Sequence, residues 1–325
     1  MCTAITFQAN NTYFGRNLDY EQDFGQKIVI TPRQFPFPFR KIHAHKQHYA
    51  MIGMGIVADQ YPLYFDATNE YGLSMAGLNF PYFAVYHPYH PGKVNITPFE
   101  FIPYILGQCR STEEAEERLT HINLYDMPFN TRYPLTPLHW IIADQTRSIT
   151  VESTQEGIQC TDNPVGILTN SPPFAYHMHQ LSCYMNLTNA EPTNRITGKL
   201  PLTAFSRGMG AYGLPGDLSS PSRFVRAAFT KWNATTFQTE EENISQFFHI
   251  LDSVAQIHGC VKIGNDFERT IYSSCCNMDT QVYYYKTYHN PVPTGVSLHN
   301  ENLNGGTVRV CPLTNTMQIR MEHPL

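Results

Sequence analysis

Residues 1–19 read MCTAITFQANNTYFGRNLD, which places a cysteine directly after the initiator methionine in a strand–turn–strand pattern. Residues 2–7 and 12–18 are rich in side chains that favour strands, and the Ala-Asn-Asn between them is typical of a hairpin turn. We therefore predict two paired strands with Cys2 at the exposed tip of the first. Removal of Met1, by an aminopeptidase or by self-processing, makes Cys2 the N-terminal residue.

An N-terminal cysteine carries a nucleophile and a base in one residue. A free α-amine has a pKa of about 7.7–8.0 and a thiol one of about 8.5, so each group can exchange a proton with the other near neutral pH. An adjacent N-terminal amine is an established activator of such nucleophiles. Arg16 can favour the thiolate, and Asp19 can orient the amine. The alternative is that Cys2 is a small buried apolar residue on an edge strand.

Composition limits the class of protein. The chain has 325 residues, of which 42% are hydrophobic and 15% charged, which is typical of a packed core rather than of disorder. The 20 Tyr and 20 Phe residues line an apolar pocket or pack in the core. The net charge of −5 comes without a basic run, so we expect no nucleic-acid partner. No apolar window reaches the length of a membrane span, so we expect no membrane insertion.

The N-terminus and the cysteines indicate the cellular location, and the histidines are the candidates for metal binding. The N-terminus lacks a basic region followed by an apolar one, so we expect no signal peptide and a cytoplasmic location. The 8 cysteines are expected to be reduced, since Cys275 and Cys276 are adjacent and no C-x-x-C pair occurs. Histidines 43, 45 and 48 lie close together, but carboxylates are sparse there and H-E-x-x-H is missing, so we expect no metal.

Strand and helix patterns occur in separate blocks. Strand patterns cover 27–31, 49–57, 63–67, 72–79, 138–144, 148–153, 157–162, 165–169, 270–276, 281–288 and 307–310. Helical patterns cover 99–109, 111–122, 174–185, a segment capped by Ser219-Ser220-Pro221, and 241–258. Blocks of this kind predict an α+β fold, a four-layer αββα sandwich of two antiparallel sheets with the helices outside.

Two segments are predicted as loops. Residues 34–39 alternate Phe and Pro, and because prolines remove the donors of a strand ladder, we expect a loop with exposed aromatic rings. Residues 186–221 are rich in Asn, Thr, Gly and Pro and show little periodicity. A loop of this length inside a compact domain is usually functional or involved in assembly.

Several blocks, taken together, resemble one known family across nearly the whole chain. These blocks are residues 1–3, 14–19, 69–73, 76–81, 168–172 and 213–224, in that order. They are similar to the choloylglycine hydrolases, which include bile salt hydrolases and penicillin V acylases, in the N-terminal nucleophile hydrolase superfamily. The resemblance implies a single domain over 1–325 with an assembly loop at about 186–221, commonly used to form homotetramers.

The resemblance also implies roles for individual residues. It gives Cys2 as the nucleophile with its freed amine as base, Arg16 beside the thiol, Asp19 on the amine, Asn79 and Asn170 at the oxyanion hole, and Arg223 as a further polar member. Oxyanion donors contribute about 3–4 kcal/mol each in comparable enzymes. On their residue types alone, the two asparagines are ordinary strand-end turn residues. The family also implies Leu18, Phe65 and Phe129 at the walls of the substrate pocket.

The implied reaction is hydrolysis of the amide bond that joins a bile acid to glycine or taurine, through a thioester on Cys2 and without a cofactor. Asn79 favours a bile salt hydrolase, because many penicillin V acylases have Tyr there. Residues 80–83, Phe-Pro-Tyr-Phe, depart from the Phe-Pro-Gly-Tyr of many members, which leaves substrate preference open. A penicillin V acylase is the alternative within the family, and a non-catalytic bile-acid-binding homologue is the alternative outside catalysis.

Overall fold

The structure is a computed structural model that describes residues 1–44 and 47–323. Its strands, in chain order, are β1 (Cys2–Gln8), β2 (Thr12–Tyr20), β3 (Lys27–Thr31), β4 (Met51–Ala58), β5 (Tyr61–Asn69), β6 (Ser74–Asn79), β7 (Val94–Ile96), β8 (Ile122–Leu124), β9 (Leu138–Ala143), β10 (Ser148–Thr154), β11 (Gly157–Asp162), β12 (Ile167–Leu168), β13 (Val261–Ile263), β14 (Asp266–Asn277), β15 (Val282–Thr287), β16 (Thr294–Ser297) and β17 (Arg309–Cys311).

The helices lie between and after these strands. They are α1 (Phe101–Leu106), α2 (Thr112–Leu119), α3 (Phe174–Ser182), α4 (Ser220–Asn233) and α5 (Glu240–Asp252), with single 3₁₀ turns at Pro98–Glu100, Met209–Ala211 and Leu298–Asn300. Ser219 is the N-cap of α4 and Pro221 lies in its first turn, as predicted.

Two antiparallel sheets form the centre of the fold. The first has the order β12-β1-β2-β14-β15-β16, with β13 paired to β14, and the second has the order β11-β10-β9-β6-β5-β4-β3-β17. Helices α4 and α5 pack on the first sheet and α1 and α2 on the second, while α3 packs on α4. The prediction of an α+β sandwich of two antiparallel sheets with outer helices is confirmed.

The apolar faces of the helices are buried as their spacing predicts. In α5, Ile244, Phe247, Phe248 and Leu251 are all buried in one hydrophobic cluster with residues of β1 and β12. Between the two sheets, Leu18 of β2 packs in a second cluster with side chains from β3, β4 and β14. The edge of the first sheet that carries Cys2 is therefore enclosed by helices on one side and by the second sheet on the other.

The prediction for residues 34–39 is half correct. The segment is a loop, but Phe37 and Phe39 are buried rather than exposed. Phe37 packs against Tyr61 with ring centroids 5.8 Å apart, and Phe39 packs against Tyr104 at 5.7 Å. Because side chains alternate in an extended segment, the phenylalanines face the core while Pro36 and Pro38 face solvent.

Helix and strand ends also differ from the sequence-based boundaries. The α5 helix ends at Asp252 rather than near residue 258, because the chain then turns to join β14. The Gln256 amide donates to Thr270 Oγ1 (2.8 Å), and the Thr270 amide donates to the Gln256 carbonyl (3.0 Å). The β13–β14 hairpin was missed, although Gly264, with a φ of 60°, marks its turn.

Strand β2 lies unusually close to β14 at Gly15. A Cβ atom at this position would lie 1.9 Å from the backbone oxygen of Ser274, a distance at which the strands must separate. The next residue in β2 is Arg16, so the close approach also fixes the backbone that carries this buried side chain.

We predict that Gly15→Ala destabilises the fold by about 2–3 kcal/mol or more, because overpacking a rigid strand pair is costly. The matched control is Gly216→Ala, since nothing lies within 4 Å of a Cβ added there. Urea unfolding of both variants measures the difference. Equal stability of the two variants would contradict the close approach of β2 and β14.

Candidate active site

Cys2 lies at the start of β1, between two neighbouring strands. In the β1–β2 register it is opposite Leu18, and on the other side Ala4 pairs with Leu168 of β12. Asn170 follows β12 by two residues and so comes next to Cys2. The Cys2 backbone nitrogen donates a hydrogen bond to Asn170 Oδ1 at 2.7 Å, and Cys2 is only 6% exposed.

Arg223, on the first turn of α4, holds the same peptide segment from the other side. Its Nη1 donates to the Cys2 carbonyl and to Thr3 Oγ1 at 2.6 Å. Its Nη2 donates to Asn170 Oδ1 at 2.6 Å. The guanidinium is fully buried, so these hydrogen bonds replace those that it would form with water.

Asn170 is itself fixed by neighbouring groups. Its Nδ2 donates to the Asn79 carbonyl at 2.7 Å, its backbone nitrogen donates to Ser220 Oγ at 2.8 Å, and its carbonyl lies 2.7 Å from His177 Nε2. The half-buried side-chain amide of Asn79, by contrast, has no hydrogen-bond partner among the residues that the structure describes. It is therefore a donor of this site that is open to a ligand.

Arg16 reaches from β2 across to the second sheet. Its Nη1 donates to the backbone oxygens of Phe65 (3.2 Å) and Gly77, and the residue is 1% exposed. Burial acts to lower the pKa of Arg16, but the nearby Cys2 thiol and several acidic groups outweigh burial and hold that pKa above its usual range. The arginine is therefore a permanent positive charge in the interior beside Cys2.

Asp19 contacts Met1, which is still present in this structure. The Met1 amine donates to the Asp19 carbonyl at 2.8 Å and forms an ion pair with Glu268. Thr270 Oγ1 donates to Asp19 Oδ1 at 2.6 Å, whereas Asp19 Oδ2 is buried without a partner in the described part of the chain. Burial raises the pKa of the Asp19 carboxyl and lowers the pKa of the Met1 amine.

The structure brings together most of the residues predicted from the sequence. Hydrogen bonds join Cys2, Asn79, Asn170 and Arg223 directly. Asp19 is joined to them through Met1, and Arg16 interacts with Cys2 through its charge. Of the three predicted pocket residues, Leu18 pairs with Cys2, and the Phe65 backbone contacts Arg16. Phe129 instead packs in an aromatic cluster with Tyr61 and Phe99, so its place in the pocket rests on the resemblance.

Sequence reasoning did not identify the groups that support the site. Ser220 was predicted only as part of a helix cap, yet its hydroxyl accepts from the Asn170 backbone. No local pattern marks the other supporting groups. His177 is seven positions from its partner Asn170, and most of the chain separates Thr270 from Asp19 and Glu268 from Met1. Their roles become visible only when β12, β14 and α3 are assembled.

Metal binding finds no support in the described residues. Within residues 1–44 and 47–323, no group of three or more His, Cys, Asp or Glu side chains is placed to hold a metal ion. Of the histidines at 43, 45 and 48, His45 lies outside the described residues.

Membrane-spanning helices are also missing from residues 1–44 and 47–323, since none of the helices there combines the length and the hydrophobicity that a span requires.

A family profile, a related sequence and a solved structure all match this chain over nearly its whole length. A profile of the family described as "Linear amide C-N hydrolases, choloylglycine hydrolase family" matches residues 2–311. The chain is 51% identical over 319 residues to a "Bile salt hydrolase/transferase" of Lactiplantibacillus plantarum, covering 98% of each. It matches the structure of the C2A mutant of the conjugated bile acid hydrolase from Clostridium perfringens with a TM-score of 0.91 and 35% identity, covering 99% of this chain and 100% of that one. Penicillin V acylase from Agrobacterium tumefaciens shares the fold, with a TM-score of 0.73 at 19% identity, covering 96% of this chain and 91% of that one.

We predict that His177 makes the fold acid-sensitive. Burial lowers the pKa of His177 to about 4, below the usual value of about 6.5. The unfolded chain therefore binds a proton that the native chain does not, so stability is lost as pH falls from about 6.5 to 4, by up to about 3 kcal/mol.

Urea unfolding between pH 7 and 4 measures this effect. His177→Gln keeps a donor for the Asn170 carbonyl and removes the titrating group, so its stability is expected to fall less steeply with acid. The control, His43→Gln, alters an exposed histidine and keeps the wild-type slope. The same slope in all three proteins would contradict the assignment.

Proposed function

Because the chain belongs to the choloylglycine hydrolase family, we propose that this linear amide C–N hydrolase cleaves the amide bond between a bile acid and glycine or taurine. The observation that carries the proposal is the arrangement around Cys2. One residue supplies the thiol and, after Met1 is removed, the amine, and its peptide group is held by Asn170 and Arg223. The choice of substrate rests on the relative that is 51% identical.

The proposed reaction has two covalent stages. The Cys2 thiol gives its proton to the Cys2 amine and attacks the amide carbonyl, so that an S–C bond forms. The C–N bond then breaks as the leaving amino acid takes that proton. Water, deprotonated by the same amine, next hydrolyses the thioester and releases the bile acid with a free thiol.

Removal of Met1 converts the peptide nitrogen of Cys2 into the base. Burial lowers the pKa of the Met1 amine in the unprocessed chain, and we expect the same environment to lower the pKa of the Cys2 amine after processing. The unpartnered Asp19 Oδ2 is available to orient it. Retention of Met1 leaves an amide in place of the amine and so blocks the reaction.

The oxyanion of the tetrahedral intermediate needs fixed donors. The support for Asn79 is its open side-chain amide at the site. Asn170 already uses Nδ2 on the Asn79 carbonyl, so we propose that it acts chiefly by fixing the Asn79 backbone and the Cys2 nitrogen. Arg16 supplies positive charge on the thiol side, which favours thiolate.

Substrate preference is expected to depend on the segment that follows Asn79. Tyr82 has a left-handed φ of 72° and is 97% exposed, where many family members have glycine. A non-glycine residue in this conformation is strained. Tyr82 follows the proposed oxyanion donor, Asn79, by three positions in the sequence. Penicillin V acylase remains the alternative, since that acylase shares the fold.

We predict that Met1-free protein releases glycine from glycocholate and taurine from taurocholate much faster than it cleaves the side-chain amide of penicillin V. Cys2→Ala removes the nucleophile and is expected to lower the rate at least about 10⁴-fold. The matched control is Cys183→Ala, because Cys183 is an exposed free thiol, and its rate is expected to equal that of the wild type.

The other outcomes separate the alternatives. Preference for penicillin V would keep the cysteine amidase and overturn the bile acid assignment. Binding of bile acids without turnover, in a sample shown by intact mass to lack Met1, would point instead to a non-catalytic binding protein.

We further propose that the chain assembles as a homotetramer through the loop at about 186–221. The support is the group of large apolar side chains that this loop exposes, which includes Ile196, Phe205 and Tyr212. Where such side chains form a contiguous patch, they mark a site of protein contact.

We also propose a single domain over 1–325 and a cytoplasmic location. All 8 cysteines are free thiols, the state expected in a reducing compartment.

Light scattering at micromolar concentration is predicted to give four times the chain mass. Phe205→Asp places a charge in the proposed contact, since Phe205 is 87% exposed in the single chain, and is expected to lower the mass toward that of smaller species. Met317→Asp, at an exposed position outside the loop, serves as the control. A monomeric wild type, or a tetramer unaffected by Phe205→Asp, would contradict the proposed interface.

A further inference from the structure

A buried carboxylate with three hydroxyl donors lies between the two sheets. Asp66, on β5, is 1% exposed. Its Oδ1 accepts from the Tyr272 hydroxyl at 2.6 Å. Its Oδ2 accepts from the hydroxyls of Tyr283 (2.5 Å) and Ser274 (3.2 Å). All three donors come from the first sheet, so this cluster joins the two sheets across the interior.

The cluster is connected to Arg16 by the backbone on both sides. The Arg16 amide donates to Ser274 Oγ at 3.1 Å, and that hydroxyl donates to Asp66. The Arg16 guanidinium donates to the carbonyl of Phe65, the residue directly before Asp66. The two charges therefore belong to one hydrogen-bonded unit.

Arg16 has no carboxylate in direct contact. Among the described residues, no Asp or Glu oxygen lies within 4.0 Å of its guanidinium, and the hydrogen bonds of its side chain go to backbone carbonyls. A buried cation without a compensating charge is unfavourable. Asp66 is one of the nearby acidic groups that raise the pKa of Arg16, so it supplies compensation through space.

The hydroxyl donors indicate that Asp66 is ionised. Burial raises the pKa of Asp66 above its usual range, although Arg16 and the three hydroxyls act in the opposite direction. An ionised carboxylate is an acceptor only, which matches three donors on its two oxygens. If Asp66 were protonated, one of these three hydroxyls would have to accept its proton instead of donating.

We propose that Asp66 is the buried counter-ion of Arg16 and a positioning residue for the reaction, because it moderates the positive charge that Arg16 presents to the Cys2 thiol. Tyr272, Tyr283 and Ser274 hold the carboxylate in place for this purpose. The inference rests on the proposed role of Cys2 as nucleophile, but it does not depend on which amide is the substrate.

The charges of Asp66 and Arg16 are expected to act on the Cys2 thiol in opposite directions. A negative charge disfavours a nearby thiolate and a positive charge favours it. Asp66→Asn keeps the shape of the side chain and removes its charge, and the backbone carbonyls of Phe65 and Gly77 still hold Arg16. The thiol of Cys2 is therefore expected to ionise at a lower pH in Asp66→Asn and at a higher pH in Arg16→Gln.

The pH dependence of Cys2 alkylation by iodoacetamide tests this prediction without any substrate. The rate is followed by mass spectrometry of the N-terminal peptide of Met1-free protein, which separates Cys2 from the other cysteines. At pH 5 to 6 we expect Asp66→Asn to react at least about threefold faster than the wild type. Asp266→Asn, on the same strand as Tyr272 but exposed, is the control and is expected to react as the wild type does.

A double-mutant cycle on thermal stability provides a second test, which also covers a variant that folds poorly. Each single change, Arg16→Gln or Asp66→Asn, leaves one buried charge with less compensation, whereas the double variant removes both charges. We expect the double variant to melt at a higher temperature than either single variant. Failure of Asp66→Asn to fold alone, with recovery in the double variant, gives the same support.

Two results would overturn the proposal. One is an alkylation profile of folded Asp66→Asn that is unchanged or moves to higher pH. The other is a stability loss in the double variant equal to the sum of the two single losses. If bile acids prove not to be substrates, both tests still stand, because neither measures hydrolysis.

Discussion

The guanidinium of Arg223 joins two segments that are far from it in the chain, residues 2–3 and Asn170. It donates to the carbonyl of Cys2, to the hydroxyl of Thr3 and to Oδ1 of Asn170, while the same Asn170 oxygen accepts from the Cys2 nitrogen. The backbone of Cys2 is thus held at both its nitrogen and its carbonyl oxygen. Because the donors of a guanidinium have a fixed planar geometry, α4, β1 and the end of β12 must be correctly assembled before the site exists.

Burial of charge is the main cost of this arrangement, and it shapes the surroundings of the site. Arg16, Arg223 and Asp19 are almost completely buried, and isolated charges are strongly unfavourable in such positions. Each is surrounded by backbone carbonyls, hydroxyls or opposite charges drawn from both sheets and from α4. Stability and catalytic geometry therefore depend on the same hydrogen bonds, so substitutions in the site are expected to affect both.

Much of the fold was predictable where the signal is local. The β1–β2 hairpin, the Ser219-Ser220-Pro221 helix start and the apolar stripe of α5 each depend on residues close in sequence, and the structure has all three. The burial of Phe37 and the early end of α5 depend instead on contacts with Tyr61 and Thr270, which no local pattern contains.

The site shows the same division. Its polar members are recognisable as sequence blocks, because their residue types and order are characteristic. The groups behind them, such as His177 and Asp66, are single residues on ordinary helices and strands. Their partners come from other elements, up to 217 positions away for Asp66 and Tyr283. Only the assembled sandwich shows that His177 contacts Asn170 and that Asp66 is joined to Arg16 through Ser274.

The central claim is that the Cys2 thiol carries the acyl group. The most direct test is to quench Met1-free protein with acid during turnover of glycocholate and to map the acyl adduct by tandem mass spectrometry. We expect a cholyl thioester on Cys2 at the N-terminus of the processed chain. An adduct on another cysteine, or turnover by a protein that still carries Met1, would contradict it.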